Sequence, residues 1–399
     1  MTASEISRAE AEAFAKQEED EARRLVGLKT LFDPNTLVKK GLCPVSKIKG
    51  ETPLTSHSLY YEQHGKGPQK IVYIMGLNNT CFAWETQVKH FTKDPKYSMV
   101  VFDNRGVGNS DAPRGPYSTS EMASDAITLA DYLGWTSERQ LHIVGISLGG
   151  MIALELATMI PQRIASLSLI VTTPGNVPRP FANLPPFKGA HTLLRLLTIK
   201  EPVDKVPYVL GMIYPEPWLE ETPENGGGLT NRQLQEKVRS HPRNHPFLHL
   251  ICSLLTCPLV CAYLPDHGHK QIYFRRIDHT RPQTLVGSLS QMAAALTHYV
   301  SPSRLAAIDA SIPKIAILTG DSDHMVSPAH SQRLAQYMPH AQFEVWQRTG
   351  HALPMQWPER AAAWFEKVFE EGWERSVAQM RAVAPAGTTM SAGTINGSA

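Results

Sequence analysis

The feature that most restricts the fold of this chain is an apolar run that ends in Gly-x-Ser-x-Gly. Residues 141–146 are mostly apolar, glycines stand two positions before and after Ser147, and a helical pattern follows at once. A strand, a sharp turn and a helix in this order leave no room for bulky residues at the glycine positions. The pattern predicts an exposed Ser147 hydroxyl beside the N–H of Leu148, at a helix N-terminus that stabilises negative charge.

This motif is a weak signal by itself, because a chain with 27 glycines can contain it by chance. A serine hydroxyl also needs a base in hydrogen-bond reach and a carboxylate to orient that base. Both types of residue follow late apolar runs: Asp321 and Asp323 come after 313–318, and His351 comes after 341–346. The chain order Ser–Asp–His therefore predicts a nucleophile, a base and an orienting acid, with the choice between the two aspartates still open.

An upstream segment predicts a second donor for negative charge. Residues 71–74 form an apolar run that breaks at Gly76 into a polar loop with two asparagines. Ligands of an open parallel sheet bind at the carboxyl ends of its strands. We therefore expect a backbone N–H of this loop to face Ser147 and to act as an oxyanion donor.

Another charged loop follows the apolar residues 100–102, which again predict a strand. Its sequence, 103–110, contains an aspartate, an arginine and two glycines at close spacing. Two interpretations remain open at this point. The loop is either held together by a network between Asp103 and Arg105, or it takes a direct part in binding substrate.

Together, these motifs resemble the α/β-hydrolase fold, in its serine esterase and lipase branch. The resemblance covers about residues 59–173 and 313–371. Its motifs are Gly76, Asp-x-Arg-Gly-x-Gly-x-Ser at 103–110, Gly-x-Ser-x-Gly-Gly at 145–150, Gly-x-x-Asp at 320–323 and Gly-His at 350–351. The resemblance implies an α/β architecture with a mostly parallel central sheet flanked by helices, and a helical lid inserted between late strands.

The resemblance also implies roles for the catalytic residues. Ser147 would be the nucleophile, and His351 the general base and then the general acid. Asp323 would orient His351, because Gly-x-x-Asp at 320–323 matches the family pattern, whereas Asp321 lies two residues earlier. No cofactor and no metal ion are implied.

The implied oxyanion hole departs from the family at one position. The family usually has His-Gly before this loop, whereas Met75 stands here in place of the histidine. The donors would be the backbone N–H groups of Leu77 and Leu148, so the hole can form without that side chain. Met75 and Asn78 are candidate substrate-binding residues, with ordinary turn chemistry as the alternative for Asn78.

Length and local composition predict the domain organisation. A chain of 399 residues can bury a large core and carry an insertion. The expected units are an N-terminal helical extension at 1–45, an α/β core at 46–173 and 305–375, a helical lid at 174–304, and a disordered tail at 383–399.

Residues 247–264 are the least polar part of the predicted lid, since they contain no Asp, Glu, Lys or Arg. One interpretation is a buried lid helix, broken at Pro258, that lines an apolar acyl pocket. The other is a segment that dips into a membrane surface between two basic flanks. Both favour a hydrophobic acyl substrate. A membrane span is not expected, because the strands on either side of the insertion belong to one sheet.

Charge and cysteine content narrow the partners and the compartment. The net charge of +2 and the pI near 8.2 do not favour a nucleic-acid partner. Five cysteines without metal spacing, and no signal peptide, favour a reduced, cytoplasmic location, with peripheral membrane contact under the second interpretation of 247–264. The Asp-His-Gly-His sequence at 266–269 is interpreted as a polar turn rather than a metal site.

The sequence therefore predicts a serine hydrolase that cleaves a carboxylic ester with a hydrophobic acyl group through an acyl-enzyme. Alternatives on the same fold are a cofactor-free C–C, lactone or thioester hydrolase, or an acyltransferase. A non-catalytic ligand-binding protein on a hydrolase fold is the alternative from another class. Tight ligand binding without turnover would distinguish it.

Overall fold

The computed structural model describes residues 27–50, 57–175, 183, 186–199, 202–236 and 279–383. Within these residues the strands form one sheet in the order β1-β2-β4-β3-β5-β6-β7-β8. The strands are β1 (Leu37–Cys43), β2 (Leu59–His64), β3 (Gln69–Ile74), β4 (Tyr97–Phe102), β5 (Leu141–Ile146), β6 (Ile164–Ile170), β7 (Lys314–Gly320) and β8 (Gln342–Trp346). Strand β2 is antiparallel to both its neighbours, and the pairs from β4 to β8 are parallel. The expected mostly parallel sheet is confirmed.

Helices cover both faces of this sheet. They are α1 (Val45–Ile48), α2 (Glu85–Phe91), α3 (Thr119–Tyr132), α4 (Leu148–Met159), α5 (Phe187–Thr198), α6 (Pro202–Ile213), α7 (Glu216–Leu219), α8 (Asn231–Glu236), α9 (Leu285–Thr297), α10 (Pro302–Ser311), α11 (Pro328–Tyr337), α12 (Leu353–Gln356) and α13 (Pro358–Val383). Strands β4 to β7 are buried at every residue. Apolar runs without alternation are typical of parallel strands that are covered on both faces.

Two buried clusters, one on each side of the sheet, make up the core. One contains Phe91 of α2 together with Phe365 and Phe369 of α13. The other contains Leu129 of α3 and Ile152 of α4. Because helices anchor both sides, the carboxyl ends of β5, β7 and β8 are held at one fixed edge, where the candidate catalytic residues follow.

The core begins earlier than the sequence predicted. Residues 37–43 were expected to belong to a helical extension, but they form β1 and pair with β2. Lys40 Nζ donates to Leu28 O at 2.6 Å, and Phe32 is buried. The two lysines at 39 and 40 lie in the partly exposed half of the strand and interrupt the apolar pattern that would reveal it.

The described part of the predicted lid contains helices joined by turns and loops, and its role as a lid stays a prediction. The described residues of 174–304 contain α5 to α9 and the beginning of α10. The apolar segment 247–264 lies outside the described residues, as do residues 1–26 and the predicted tail after Val383. The last helix continues to Val383, so the described core extends beyond the predicted end at 375.

A buried histidine in β5 gives a prediction about acid stability. His142 Nδ1 lies 2.8 Å from Ser166 Oγ, and the ring centroid lies 4.9 Å from that of Phe369. Burial lowers the pKa of His142 from 6.5 to about 3. Between these two values the unfolded chain binds more protons than the folded one, so the stabilisation is complete above pH 6.5 and is lost as the pH falls towards 3.

We therefore compare the free energy of unfolding of the wild type with that of a His142→Leu variant. As the pH falls from 6.5 towards 3, we expect the wild-type value to decrease relative to the variant by roughly 1 kcal/mol per pH unit. Urea denaturation at a series of pH values measures this difference. All other titrating groups are present in both proteins, so their contributions cancel in the difference. A difference that does not change with pH would show that His142 titrates normally in the folded protein.

Candidate active site

Ser147 lies at the sharp turn between β5 and α4, as the sequence predicted. Its backbone has φ 56° and ψ −121°, which is strained for a residue with a side chain. A Cβ on Gly145 would lie 2.3 Å from Gly149 O, and a Cβ on Gly149 would lie 2.1 Å from Ile74 O. Both positions therefore require glycine for the chain to turn here.

Neighbouring strands hold the strained serine in place. Ser147 N–H donates to Ile170 O at 2.9 Å, and Thr172 Oγ1 donates to Ser147 O at 2.7 Å. Both peptide groups of the turn are thus tied to the end of β6. Ser147 is only partly buried, whereas its neighbours Ile146 and Leu148 are buried, so part of this residue is accessible at the edge of the sheet.

The structure brings Asp323 and His351 together. His351 Nδ1 lies 2.8 Å from Asp323 Oδ2, and the Asp323 side chain is completely buried. Asp323 Oδ1 also accepts the N–H groups of Met325 and Val326 at 2.7 and 2.9 Å. Because an ionised carboxylate can only accept, Nδ1 carries the proton, and Nε2 is left as the basic nitrogen.

The neighbouring Asp321 has a different task. Its Oδ1 accepts the N–H of Thr349 at 3.1 Å and the hydroxyl of Ser322 at 2.9 Å. It therefore supports the loop that carries His351 without touching the imidazole. The choice of Asp323 over Asp321, which the family resemblance implied, agrees with this geometry.

Sheet topology places all three candidates at the same edge. Ser147 follows β5, Asp323 follows β7 and His351 follows β8, and these strands run in parallel. The carboxyl ends of parallel strands face the same side, where ligands of such sheets bind. A nucleophile, a base and an orienting carboxylate therefore share one rim.

The loop after β3 passes directly over the nucleophile. A Cβ on Gly76 would lie 3.2 Å from Ser147 Cβ and 3.2 Å from Ile146 O. Within the part of the chain that the structure describes, the N–H groups of Leu77 and Leu148 have no hydrogen-bond acceptor. Both N–H groups therefore remain available for an oxyanion beside Ser147.

The two candidate substrate-binding residues of this loop are both buried. Met75 is 3% exposed, and its carbonyl accepts Asn104 Nδ2 at 2.9 Å. Asn78 is 2% exposed, its N–H donates to Gln291 Oε1 at 2.8 Å, and its Oδ1 accepts Gln283 Nε2. These bonds give both residues a structural use. Their contact with substrate stays a prediction.

Sequence reasoning missed the three side chains that hold this loop. Asn104 stands inside the motif at 103–110, so that motif was the available signal. Gln283 and Gln291 lie more than 200 residues from Asn78 in the chain, and nothing local marks them. Their contacts with Asn78 can be identified only from the tertiary structure.

Of the two interpretations of the loop at 103–110, the network between Asp103 and Arg105 is wrong. Asp103 accepts the N–H groups of Cys81 and Asn109, both at 2.7 Å, and burial raises its pKa to about 6. Arg105 instead forms a two-bond pair with Asp125, at 2.6 and 2.8 Å. The loop is held by the core on both sides, because each charged residue has its own buried partner.

Asp125 is the centre of a buried polar cluster. Besides Arg105, it accepts Lys49 Nζ at 2.5 Å and lies 3.2 Å from His57 Nε2. His57 Nδ1 lies 2.6 Å from Ser46 Oγ. The guanidinium and the imidazole both lower the pKa of Asp125 in spite of its burial. The cluster ties the start of α1 to α3 behind the sheet.

The described residues offer no candidate for a metal centre or for a membrane span. They contain no group of three or more His, Cys, Asp or Glu side chains that could hold a metal ion. None of the described helices is both long enough and apolar enough to cross a bilayer. The sequence at 266–269 lies outside the described residues.

The loop geometry predicts a mild effect for Met75→Ala. The carbonyl of residue 75 is held by Asn104, so the backbone is fixed independently of the Met75 side chain. Loss of a whole oxyanion donor costs roughly 10²–10³ in rate, and we expect Met75→Ala to cost less than about tenfold in kcat. Steady-state kinetics checks this, with the melting temperature as the control. A complete loss in a folded variant would give the Met75 side chain a direct catalytic role.

Comparisons with known proteins agree with this architecture. Residues 70–356 match the family model for the alpha/beta hydrolase fold. A protein described as a carbamate hydrolase, RutD, from Caulobacter segnis is 34% identical over 121 residues, which are 29% of this chain and 43% of that protein. The 3-oxoadipate enol-lactonase 2 of Acinetobacter baylyi is 30% identical over 121 residues, 30% of this chain and 43% of that protein. The matches thus span less than half the length of these curated relatives.

A solved structure shares the fold over most of its length. A hydrolase from Pseudomonas aeruginosa superposes with a TM-score of 0.55 at 19% identity, covering 85% of this chain and 99% of that one. The family model extends from β3 to α12, so it includes the positions of Ser147, Asp323 and His351.

Proposed function

The chain belongs to the α/β-hydrolase family, and from this premise we propose that it is a serine hydrolase that cleaves carboxylic esters through an acyl-enzyme. The 2.8 Å contact between His351 Nδ1 and Asp323 Oδ2 carries the proposal. This contact sets the tautomer of a base at the same rim as the strained Ser147. Without it, the serine would remain a poor nucleophile.

In the proposed reaction, Ser147 Oγ attacks the ester carbonyl while His351 Nε2 takes its proton. The buried Asp323 stabilises the imidazolium cation. The N–H groups of Leu77 and Leu148 stabilise the negative charge that develops on the carbonyl oxygen. His351 then protonates the leaving alcohol and activates the water that releases the acid.

A hydrophobic acyl group is the preferred substrate in this proposal. Among the described residues, the predicted lid leaves large apolar side chains exposed: Phe187, Leu285, Val286 and Leu289. Apolar surface on a lid favours contact with an apolar ligand or surface. Contact of 247–264 with a membrane remains a prediction, since that segment lies outside the described residues. The cytoplasmic location also remains a prediction.

A cyclic ester is the second candidate substrate. The relative named 3-oxoadipate enol-lactonase 2, at 30% identity, supports it. The relative described as a carbamate hydrolase adds a third candidate substrate, in which the attacked carbonyl carbon is bonded to a nitrogen atom. In each case the serine attacks a carbonyl carbon, and only the leaving group differs. The catalytic residues do not distinguish these leaving groups. Contacts between the substrate and the predicted lid would select among the ester, the lactone and the carbamate.

The test is a substrate panel with purified protein: p-nitrophenyl esters from acetate to laurate, a five-membered and a six-membered lactone, and an aryl carbamate. We expect kcat/KM to rise at least roughly tenfold from acetate to octanoate, because each buried methylene contributes about 0.8 kcal/mol. Ser147→Ala is the control for background hydrolysis.

Turnover of lactones alone would replace ester cleavage by the second candidate. Tight binding of ligands with no turnover of any substrate would favour the non-catalytic alternative. The C–C hydrolase, thioester and acyltransferase alternatives would each require turnover of a substrate outside this panel in place of the esters.

A further inference from the structure

The oxyanion loop is held from the lid as well as from the core. Gln291 of α9 is fully buried, and its amide makes two bonds to backbone groups. Its Oε1 accepts Asn78 N–H at 2.8 Å, and its Nε2 donates to Arg105 O at 2.7 Å. Gln283, just before α9, donates to Asn78 Oδ1 and to Gly106 O.

Two glycines let α9 approach closely enough for these bonds. A Cβ on Gly287 would lie 2.3 Å from Gly106 O, and a Cβ on Gly106 would lie 2.9 Å from Gly287 Cα. The helix therefore rests directly on the backbone of the charged loop. Gln283 and Gln291 lie on either side of this contact and reach the oxyanion loop beside it.

The bonds bracket the peptide that carries the oxyanion donor. Asn104 holds the carbonyl of Met75, which fixes the peptide plane before Gly76. Gln291 holds the N–H of Asn78, which fixes the peptide plane after Leu77. The plane between them contains the Leu77 N–H. Inside the loop this plane is held by one long bond, from Asn79 N–H to Gly76 O at 3.4 Å. Gly76 has no side chain to limit its rotation, so the two outer anchors add to this bond in setting the direction of the Leu77 N–H.

We propose that Gln291 and Gln283 are positioning residues that couple the seating of lid helix α9 to the formation of the oxyanion hole. The proposal rests on the function proposed above. The core supplies one anchor of the loop through Asn104, and the lid supplies the other. A displaced α9 therefore leaves a correctly built nucleophile and base with a misdirected Leu77 N–H.

Two variants test this coupling by different routes. Gln291→Glu keeps the acceptor for Asn78 N–H but loses the donor to Arg105 O while its carboxyl is ionised. Gly287→Ala removes no hydrogen-bonding group, but its new Cβ pushes α9 away from Gly106. Alanine also favours the helix more than glycine does, so loss of helicity cannot explain an effect. For each variant, kcat, KM and the melting temperature are measured on the best ester of the panel.

We expect kcat to fall by roughly 10- to 100-fold in both variants near neutral pH, with KM changed less than about threefold, because the donor acts mainly in the transition state. A buried carboxyl facing a carbonyl has a raised pKa, and its protonated form restores the donor. The kcat of Gln291→Glu, divided by that of the wild type at the same pH, should therefore rise about tenfold from about pH 8 to about pH 6.

Thr119→Val is the matched control. Thr119 Oγ1 lies 2.9 Å from Nδ1 of His298, the residue that follows α9, so the variant removes a buried lid–core bond away from the oxyanion loop. Its kcat should stay within about twofold of the wild type. No loss of kcat in Gln291→Glu and Gly287→Ala would overturn the coupling. A loss of the same size in Thr119→Val would show that any weakened contact of α9 has this effect, and would overturn the specific role of Gln291 and Gln283 as positioning residues. A wild type that is inert on the whole panel would instead overturn the proposed function.

Discussion

Replacing Ser147 with alanine is expected to reduce turnover by about a millionfold, because loss of a serine nucleophile costs that much in enzymes of this mechanism. A residual rate of roughly 10³–10⁴ over the reaction in water should remain, owing to substrate binding and the oxyanion hole. The fold should survive, since the elbow bonds use the backbone N–H and carbonyl of Ser147 rather than its hydroxyl.

A fluorophosphonate probe measures the same prediction directly. The probe should label Ser147 in the folded wild type, and peptide mapping should place the label on that residue. Heat-denatured protein is the control, because the reactivity of the hydroxyl depends on the assembled base. Labelling that persists in folded Ser147→Ala would move the nucleophile to another residue.

The second large effect is expected for Asp323→Asn, at about 10⁴-fold in kcat. The asparagine oxygen can still accept the N–H groups of Met325 and Val326, so the loop should keep its shape. Its NH₂ group, however, would face His351 Nδ1 and would favour the tautomer with the proton on Nε2. That tautomer cannot accept the proton of Ser147.

Asp321→Asn is the matched control for this change, since it alters the same chemical group two residues away. Its kcat should stay within about tenfold of the wild type, because Asp321 contacts the histidine loop and not the imidazole. Kinetics over a range of pH, together with circular dichroism, compare the two variants. A crippled Asp321→Asn beside a normal Asp323→Asn would reverse the assignment of the acid.

Local sequence was sufficient for the elbow, whereas the selection of Asp323 as the partner of His351 also needed the family resemblance. The tight turn at Ser147 requires glycine two residues before and two residues after it. This requirement is visible within five consecutive residues of the sequence. Asp323 and His351 each come after a strand, and the apolar runs in the sequence predict both strands. These features depend on backbone geometry within a few residues, which sequence patterns report well.

The remaining features depend on partners that are distant in the chain. The carboxylate bound to Arg105 is 20 residues further on, whereas the local sequence offers Asp103 as a nearer candidate partner. Strand β1 exists because β2 pairs with it, although its lysines hide the alternation. The bond from Asn78 to Gln291 joins residues 213 positions apart. No local pattern can select such a partner, because only the packing of α9 brings it there.

The cluster of Ser46, His57 and Asp125 contains the same three side-chain types as the candidate active site, but its imidazole is reversed. The carboxylate faces Nε2 and the hydroxyl faces Nδ1, and all three side chains are buried. Arg105 already neutralises the acid, so this cluster has neither access nor an unoccupied base. Among the described residues, this cluster therefore gives no second reactive site of this type besides the one proposed at Ser147. The amount of irreversible inhibitor bound should thus equal the number of correctly folded molecules, which makes inhibitor stoichiometry an assay of sample quality.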